Sequence, residues 1–387
     1  MKLSLSFVAL LVFCNISHAA TPPRWESNIE KRYGLQNFDR EVRSLWMKQQ
    51  GVVFLTPEKL LLYQVNPTSQ DVKLAPRGSS GGAGNFLLVI KILNAEGGQV
   101  LNSVSLVTSG EISRVLATHD GSFVIQAGAA LYAYSPTLEQ TAFRNLPLEK
   151  TAPVEDWQMK ISPSGEKLIL LHEQVFMSPE LLADNTVIHD GRGKIDVQIL
   201  NATTLQPQAT FALDHSLAFW TPTEDFLFSS NPEHSYNDGK LGLLDFSGRW
   251  SAIRSDLPKE QHFCRYAMST VDVQRAAFFG CDAFSLFSSV GKMLFAGTGP
   301  GCFFASGATA GPYLALQCDR YSTERLTGTS VLVSATRADR IEVYDLDHHG
   351  RRLSVALRGE RVCYAVSAQG NLAVIDGANL RMFSVEK

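Results

Sequence analysis

The sequence predicts an all-β protein of 387 residues, built from about seven copies of one four-stranded antiparallel unit. Three observations support this prediction. Short apolar runs separated by turn residues follow one another along the chain, and only 178–183 resembles an amphipathic helix. One hairpin pattern recurs at regular intervals. A second hairpin follows most of its copies.

The first hairpin is clearest at 363–376, where two apolar runs flank a short polar turn that contains Gly370. This is the turn chemistry of a β-hairpin. Matching segments lie at 54–63, 116–125, 161–170, 220–228, 268–279 and 305–316.

A second pair of strand-like runs follows most of these hairpins, with turns such as Ser247-Gly248 and His349-Gly350. The unit therefore has four strands and repeats about every 50 residues, which is typical of a β-propeller, whose sheets form blades around a central channel. A solenoid or two stacked sandwiches are the alternatives.

The turn pattern resembles that of WD-repeat and related propellers. The Trp-Asp dipeptide and the Gly-His pair of true WD repeats are absent. The resemblance covers nearly the whole chain after the N-terminal segment. It implies a propeller architecture and no specific functional family, and the seven copies of the first hairpin predict seven blades.

The seventh unit predicts how the ring closes. Its third strand lies at 380–385, and the chain then ends, while a spare strand at 42–47 precedes the first hairpin. Pairing the two would complete the last blade and hide two open sheet edges. The predicted organisation is a single propeller domain over 41–387, preceded by an extended arm over 20–40.

The first 19 residues have the pattern of a secretory signal peptide. Lys2 supplies the positive charge, 3–13 is an apolar core too short to span a bilayer, and small residues at 17 and 19 mark a cleavage site after Ala19. We therefore expect an exported protein, periplasmic or extracellular. A net charge of −3 does not favour nucleic acid as a partner.

All the cysteines that follow the signal lie in the last third of the chain. Aligned through the repeat, Cys264 and Cys302 fall on first strands, and Cys281 and Cys318 fall on the strands beside them. We predict disulfides Cys264–Cys281 and Cys302–Cys318, each closing a loop of about 16 residues and contributing roughly 3 kcal/mol. Cys363 has no facing cysteine and should keep its thiol. Buried thiols throughout are the alternative.

Two surfaces are candidates for function. Four connections between second and third strands are long, at 66–85, 174–193, 230–239 and 319–339. Insertions on one face of a repeat protein often mark its binding face. The second candidate is a set of polar residues that lead into first strands and would ring one mouth of the channel: Glu111, Asp156, His215, His262, Glu360 and Arg361.

The first hypothesis is a non-enzymatic scaffold, without cofactor, that binds a protein, peptide or glycan through the long-loop face. The second is a hydrolase or lactonase with Ca²⁺ held at the channel mouth, loosely similar to the cation-centred sites of propeller lactonases. A structural part of an envelope assembly is a third option that the sequence does not separate from the first. A monomer is the expected state.

Overall fold

A computed structural model describes residues 21–36, 49–67, 86–108, 112–146, 154–175, 194–214, 218–220, 224–230, 241–252, 267–270, 275–280, 283–288, 292–298, 303–325, 331–359 and 362–385. Within these ranges the strands form seven four-stranded antiparallel sheets. An all-β architecture with four strands in each unit is therefore confirmed.

Sheets 1 to 7 are numbered in chain order. Sheet 1 comprises β2 (Gln49–Thr56), β3 (Lys59–Pro67), β4 (Phe86–Asn94) and β5 (Val100–Thr108). Sheet 2 comprises β6 (Ile112–Ala117), β7 (Phe123–Ala127), β8 (Ala130–Tyr134) and β9 (Gln140–Asn145). Sheet 3 comprises β10 (Val154–Ile161), β11 (Lys167–Val175), β12 (Lys194–Asn201) and β13 (Pro207–Asp214). Sheet 4 comprises β14 (Ala218–Trp220), β15 (Leu227–Ser230), β16 (Leu241–Leu244) and β17 (Trp250–Ala252).

Sheets 5 and 6 comprise β18 (Ala267–Thr270), β19 (Arg275–Gly280), β20 (Ala283–Ser288) and β21 (Met293–Thr298), then β22 (Phe303–Ala310), β23 (Tyr313–Arg325), β24 (Val331–Asp345) and β25 (Gly350–Ala356). Sheet 7 comprises β26 (Val362–Val366), β27 (Asn371–Asp376), β28 (Asn379–Ser384) and, from the N-terminal part of the chain, β1 (Trp25–Asn28).

Most first strands contact the first strands of the neighbouring sheets. β2 lies against both β6 and β26, β6 contacts β10, and β18 lies between β14 and β22. Sheets 1 to 6 then continue outward in chain order with their fourth strands outermost, and in sheet 7 the outermost strand is β1. The first strands therefore surround a central channel from which the sheets radiate.

The hydrophobic core is divided among the spaces between neighbouring sheets. Phe86 and Ile125 pack between sheets 1 and 2, and Ile169 packs with Leu227 between sheets 3 and 4. Because neighbours cover both faces of a sheet, its middle strands need apolar residues on both sides. In β7 all five residues are buried.

The strand that completes sheet 7 is β1. It pairs antiparallel with β28 from Trp25↔Met382 to Asn28↔Asn379. An N-terminal strand thus completes the last sheet as predicted, but its assignment to 42–47 was wrong; that segment lies outside the described residues. β1 escaped notice because it has only four residues, and the three that follow Trp25 are all polar, so it shows no strand-like apolar pattern.

A short helix, α1 (Ile29–Tyr33), follows β1 inside the predicted extended arm. The Asn28 side chain accepts a hydrogen bond from the Lys31 amide and caps its start, and Gly34, in the left-handed conformation, ends it. Ile29 and Tyr33 are buried between sheets 7 and 1. Five residues are too few to show a helical period, which is why the sequence did not predict α1. Within the described ranges, no helix is long and apolar enough to cross a membrane.

Turns between first and second strands lie on one face of the ring, which we call the lower face. There they bridge neighbouring sheets. The His119 amide donates to the Gly165 carbonyl at 3.1 Å, and Ser164 donates from both its amide and its hydroxyl to Glu224. Gly165 has a φ of +78°, and a Cβ there would lie 2.4 Å from the His119 nitrogen. Glycine at 165 is therefore required by both conformation and space.

Replacing Trp25 by alanine should weaken the closure of the ring. The Trp25 indole donates to the Ala95 carbonyl at 2.9 Å, so it links the strand of sheet 7 to sheet 1. Losing this bond and its apolar contacts should lower the free energy of unfolding by about 3 kcal/mol. Urea unfolding measures this loss of free energy. Arg24→Ala, at an exposed neighbouring residue, is the control; equal loss in both variants would contradict the role given to Trp25.

Candidate functional site

The upper face, as we use the term, carries the connections between second and third strands and those that lead from one sheet into the next. The predicted long connections 66–85, 174–193 and 230–239 lie almost wholly outside the described residues. The fourth, 319–339, was predicted as a loop, and this was wrong. It is mostly strand, because β23 continues to Arg325 and β24 begins at Val331.

The β23–β24 hairpin extends beyond both of its neighbours. β22 pairs with β23 up to Phe303↔Asp319, and β25 pairs with β24 up to Arg340↔Ala356. Beyond these pairs the ladder continues from Arg320↔Arg337 to Arg325↔Val331. In the described part of the chain, this ribbon has two strands and no flanking strand. It therefore projects from sheet 6 on the upper face.

The signal for this hairpin was present in the sequence. Val331, Val333 and Thr323 are β-branched, and such residues favour strands. The segment was read as a loop because its serines, threonines and Gly328 are also typical of turns. The pairing register distinguished the two readings.

A buried carboxylate holds the base of the hairpin. Glu342 on β24 has no exposed surface, and its Oε1 accepts from Arg340 Nε at 2.8 Å and from Arg351 Nη1 at 2.9 Å. Its Oε2 accepts from the Tyr344 hydroxyl at 2.5 Å. Burial by itself would raise the pKa of Glu342. The Tyr344 and Arg340 hydrogen bonds and the two arginine charges outweigh it and keep that pKa below its ordinary value. The base of the ribbon is thus fixed by charge-assisted bonds.

A second buried carboxylate fixes the connection from sheet 6 to sheet 7 on the same face. Asp376, at the end of β27, accepts from the amides of Arg358 at 3.0 Å and Gly359 at 2.5 Å. It also pairs with the buried Arg381 guanidinium. These bonds tie 358–359 to the end of β27 in sheet 7.

The channel wall brings together four side chains, of which the sequence singled out only Cys363, and that for its lack of a facing cysteine. Tyr63 crosses β2 at Gly51, where a Cβ would lie 2.4 Å from its hydroxyl oxygen. The Cys363 thiol donates to the Gln50 carbonyl at 3.0 Å, and Arg114 donates to the Met159 carbonyl at 3.3 Å. Each of these last two bonds links first strands of neighbouring sheets.

The fourth side chain is Lys160, on β10 next to Met159. Burial, and secondarily the positive charge of Arg114, lowers the pKa of Lys160 to about 7. Burial also raises the pKa of Tyr63, and Cys363 adds to that effect. The described wall of the channel thus carries a guanidinium and an amine of lowered pKa beside a phenol and a thiol. Only the ring arrangement places these residues together, since they come from sheets 1, 2, 3 and 7.

The structure does not test the predicted channel-mouth ring. Glu111, His215, His262, Glu360 and Arg361 lie outside the described residues, and Asp156 lies on β10 opposite Glu173, with its side chain not described. In the described part of the chain, no group of three or more His, Cys, Asp or Glu side chains could hold a metal ion. The ring and its Ca²⁺ remain predictions.

The predicted disulfides also remain predictions. Cys264, Cys281 and Cys302 lie outside the described residues. Cys318 is fully buried on β23 opposite Phe304. Cys363 is a half-buried thiol on β26.

Comparison with solved structures identifies the fold. The WD40 domain of Pan2 from Neurospora crassa is 9% identical, with a TM-score of 0.52, over 91% of this chain and 94% of that domain. The chain has a β-propeller fold. This propeller also resembles the uncomplexed acylaminoacyl peptidase of Pyrococcus horikoshii, at 9% identity and a TM-score of 0.53 over 91% of this chain and 54% of the enzyme. The chain therefore spans about half the length of that peptidase.

Neither sequence comparison gives a family: no protein-family model matches the propeller, and no curated protein matches it. At 9% identity the structural likeness shows the fold alone.

Replacing Glu342 by glutamine should destabilise the propeller by about 3 kcal/mol, since two arginines would lose their buried counter-charge. Glu342 has a lowered pKa in the folded state, so its stabilisation is present above the unfolded pKa of about 4.3 and is lost as pH falls through the folded value. Urea unfolding at pH 7 and pH 3 should therefore show a smaller difference between wild type and variant at pH 3. The exposed Glu139→Gln is the control.

The lowered pKa of Lys160 should make the stability of the folded protein depend on pH in the neutral and alkaline range. Its folded pKa of about 7 lies below the ordinary value of 10.5, so between these values the unfolded chain binds more protons and stability should rise with pH. In Lys160→Met this rise in melting temperature between pH 6 and pH 9 should shrink, and the variant should gain stability at pH 6. An unchanged pH profile would contradict the buried position of the amine. The matched control is Lys91→Met, at a half-buried lysine on β4.

Proposed function

We propose that the chain is an exported, non-enzymatic β-propeller that binds a protein, peptide or glycan partner through its upper face. The observation that carries this proposal is the projecting β23–β24 hairpin. It leaves a ladder of six residue pairs, from Arg320↔Arg337 to Arg325↔Val331, that neither β22 nor β25 joins. Open backbone edges of this kind accept further strands and contacts from other chains.

The anchoring of the hairpin supports a recognition role. The Glu342 network fixes its base, and the Asp376 bonds fix the connection that follows β25. A binding element on a rigid scaffold loses less conformational entropy when a partner is bound. The other long connections of the sequence also follow second strands, and we expect them on the same face.

Export is supported by the sequence alone, through the charge at Lys2, the apolar run 3–13 and the small residues before the expected cleavage site. The hydrolase alternative depends on side chains outside the described residues. The hairpin, by contrast, belongs to the described structure.

Shortening the hairpin tests the proposal. Residues 320–337 are replaced by Asn-Gly, which joins the register partners Asp319 and Ala338 through a two-residue turn. The Glu342 network stays intact, so the melting temperature should change little. We expect affinity capture from the native envelope fraction to lose at least about tenfold of the specific partner, as for removal of a central contact.

The control changes exposed turns on the lower face, with Glu96→Lys and Glu139→Lys in one chain. This variant should capture the partner as the wild type does. Undiminished capture by a folded, shortened chain would refute the assignment of binding to the hairpin.

A further inference from the structure

The outer edge of sheet 1 differs from the other outer edges. β5, the fourth strand, has nine residues, Val-Leu-Asn-Ser-Val-Ser-Leu-Val-Thr, with no charge and no proline. Most other outer strands carry a charge, as Arg144 in β9, Arg351 in β25 and Glu26 in β1 do. The uncharged β17 and β21 have only three and six residues. Charges and prolines are what usually protect an edge strand from pairing, and β5 has neither.

Apolar side chains on β5 are exposed to solvent. Val107 is 67% exposed, Leu101 54% and Val100 44%. Ser103 and Ser105 are exposed between Leu101 and Val107, whereas Val104 and Leu106 are half-buried towards sheet 2. The solvent side of β5 thus presents an apolar, serine, serine, apolar series.

The outward backbone groups follow the same alternation. The Ser103 amide donates to the adjacent Asn102 Oδ1 at 2.9 Å, so it points away from β4. In an antiparallel ladder, outward and inward groups alternate, and Ser105 and Val107 therefore also direct their amide and carbonyl groups outward. The ladder to β4 is regular from Asn102 to Thr108, and a bulge lies at Leu101.

The series is self-complementary about Val104. If two copies of β5 pair antiparallel around a two-fold axis at Val104, Ser103 faces Ser105 of the second copy, and Leu101 faces Val107. Residues with outward backbone groups then face each other and form the hydrogen-bonded pairs, while Val104 faces itself in a pair without hydrogen bonds. Such an interface is isologous, as in most homodimers.

We propose that β5 is a dimerisation edge, which joins sheet 1 of two copies of this chain into one continuous eight-stranded sheet. Asn102 releases the Ser103 amide to the facing strand. This surface is on the outer wall of the propeller and is separate from the upper-face hairpin, so each can fail without the other. It replaces the expectation of a monomer.

Sedimentation equilibrium of the purified protein over a range of concentrations tests the proposal. We expect a mass twice that of the chain. In the double variant Ser103→Glu with Ser105→Glu, the dissociation constant of the dimer should rise at least about tenfold, because like charges then face each other across the axis. In the monomer the new carboxylate at 103 lies opposite Lys91, so folding should be preserved. The control is Thr141→Glu with Asn145→Glu, at exposed residues of β9.

A cysteine at the axis tests the register. Val104→Cys should form a disulfide-linked dimer on oxidation, because facing residues without hydrogen bonds have Cα atoms about 4.5 Å apart. Ala142→Cys, at a half-buried residue of β9, should not. A monomer at all concentrations would overturn the proposal. So would a dimer that is not weakened by the two glutamates and is not cross-linked when the Val104→Cys variant is oxidised. Binding of β5 to a different protein, with no self-association, would likewise overturn it.

Discussion

Each sheet of this propeller buries its faces against neighbouring sheets, so a sheet at a free end would expose an apolar face. The ring therefore depends on the contact between the last sheet and the first. Trp25 is central to that contact, because its strand pairs with Met382 while its indole bonds to Ala95 of sheet 1. Ile29 and Tyr33 then fill the space between the two sheets. The N-terminal segment thus joins sheet 7 to sheet 1.

The positions of the buried charges also follow from this architecture. Glu342 and Asp376 lie in sheets 6 and 7, and each is surrounded by donors that compensate its loss of water. Both carboxylates lie where the chain departs from the regular repeat: one at the base of the extended hairpin, the other at the next connection. Buried, fully bonded carboxylates specify geometry more than they add stability. They allow an irregular element on an otherwise repetitive ring.

Two surfaces of different character result. The hairpin on the upper face combines an open backbone with a fixed base, which suits recognition of another molecule. The edge of β5 combines an open backbone with exposed Leu101 and Val107 in a self-complementary series, which suits a second copy. Separate surfaces would let a dimer present two upper faces at once, and bivalent presentation strengthens binding to a repeated or surface-bound partner.

The hairpin pattern around residues such as Gly370 determined the strands and the four-stranded unit, because β-turns and short apolar runs are local signals. Local signals could not identify β1, since the partner of Trp25 lies more than 350 residues away at Met382. Nor could they distinguish a loop from a paired ribbon at 319–339, or bring Arg114 beside Lys160. The pairing of β1 and the approach of Arg114 to Lys160 arise when the ring closes and brings together residues that are distant in sequence. The ribbon depends instead on the register between β23 and β24. Tertiary structure alone decided these features, because no local pattern of residues specifies which strands pair or which sheets become neighbours.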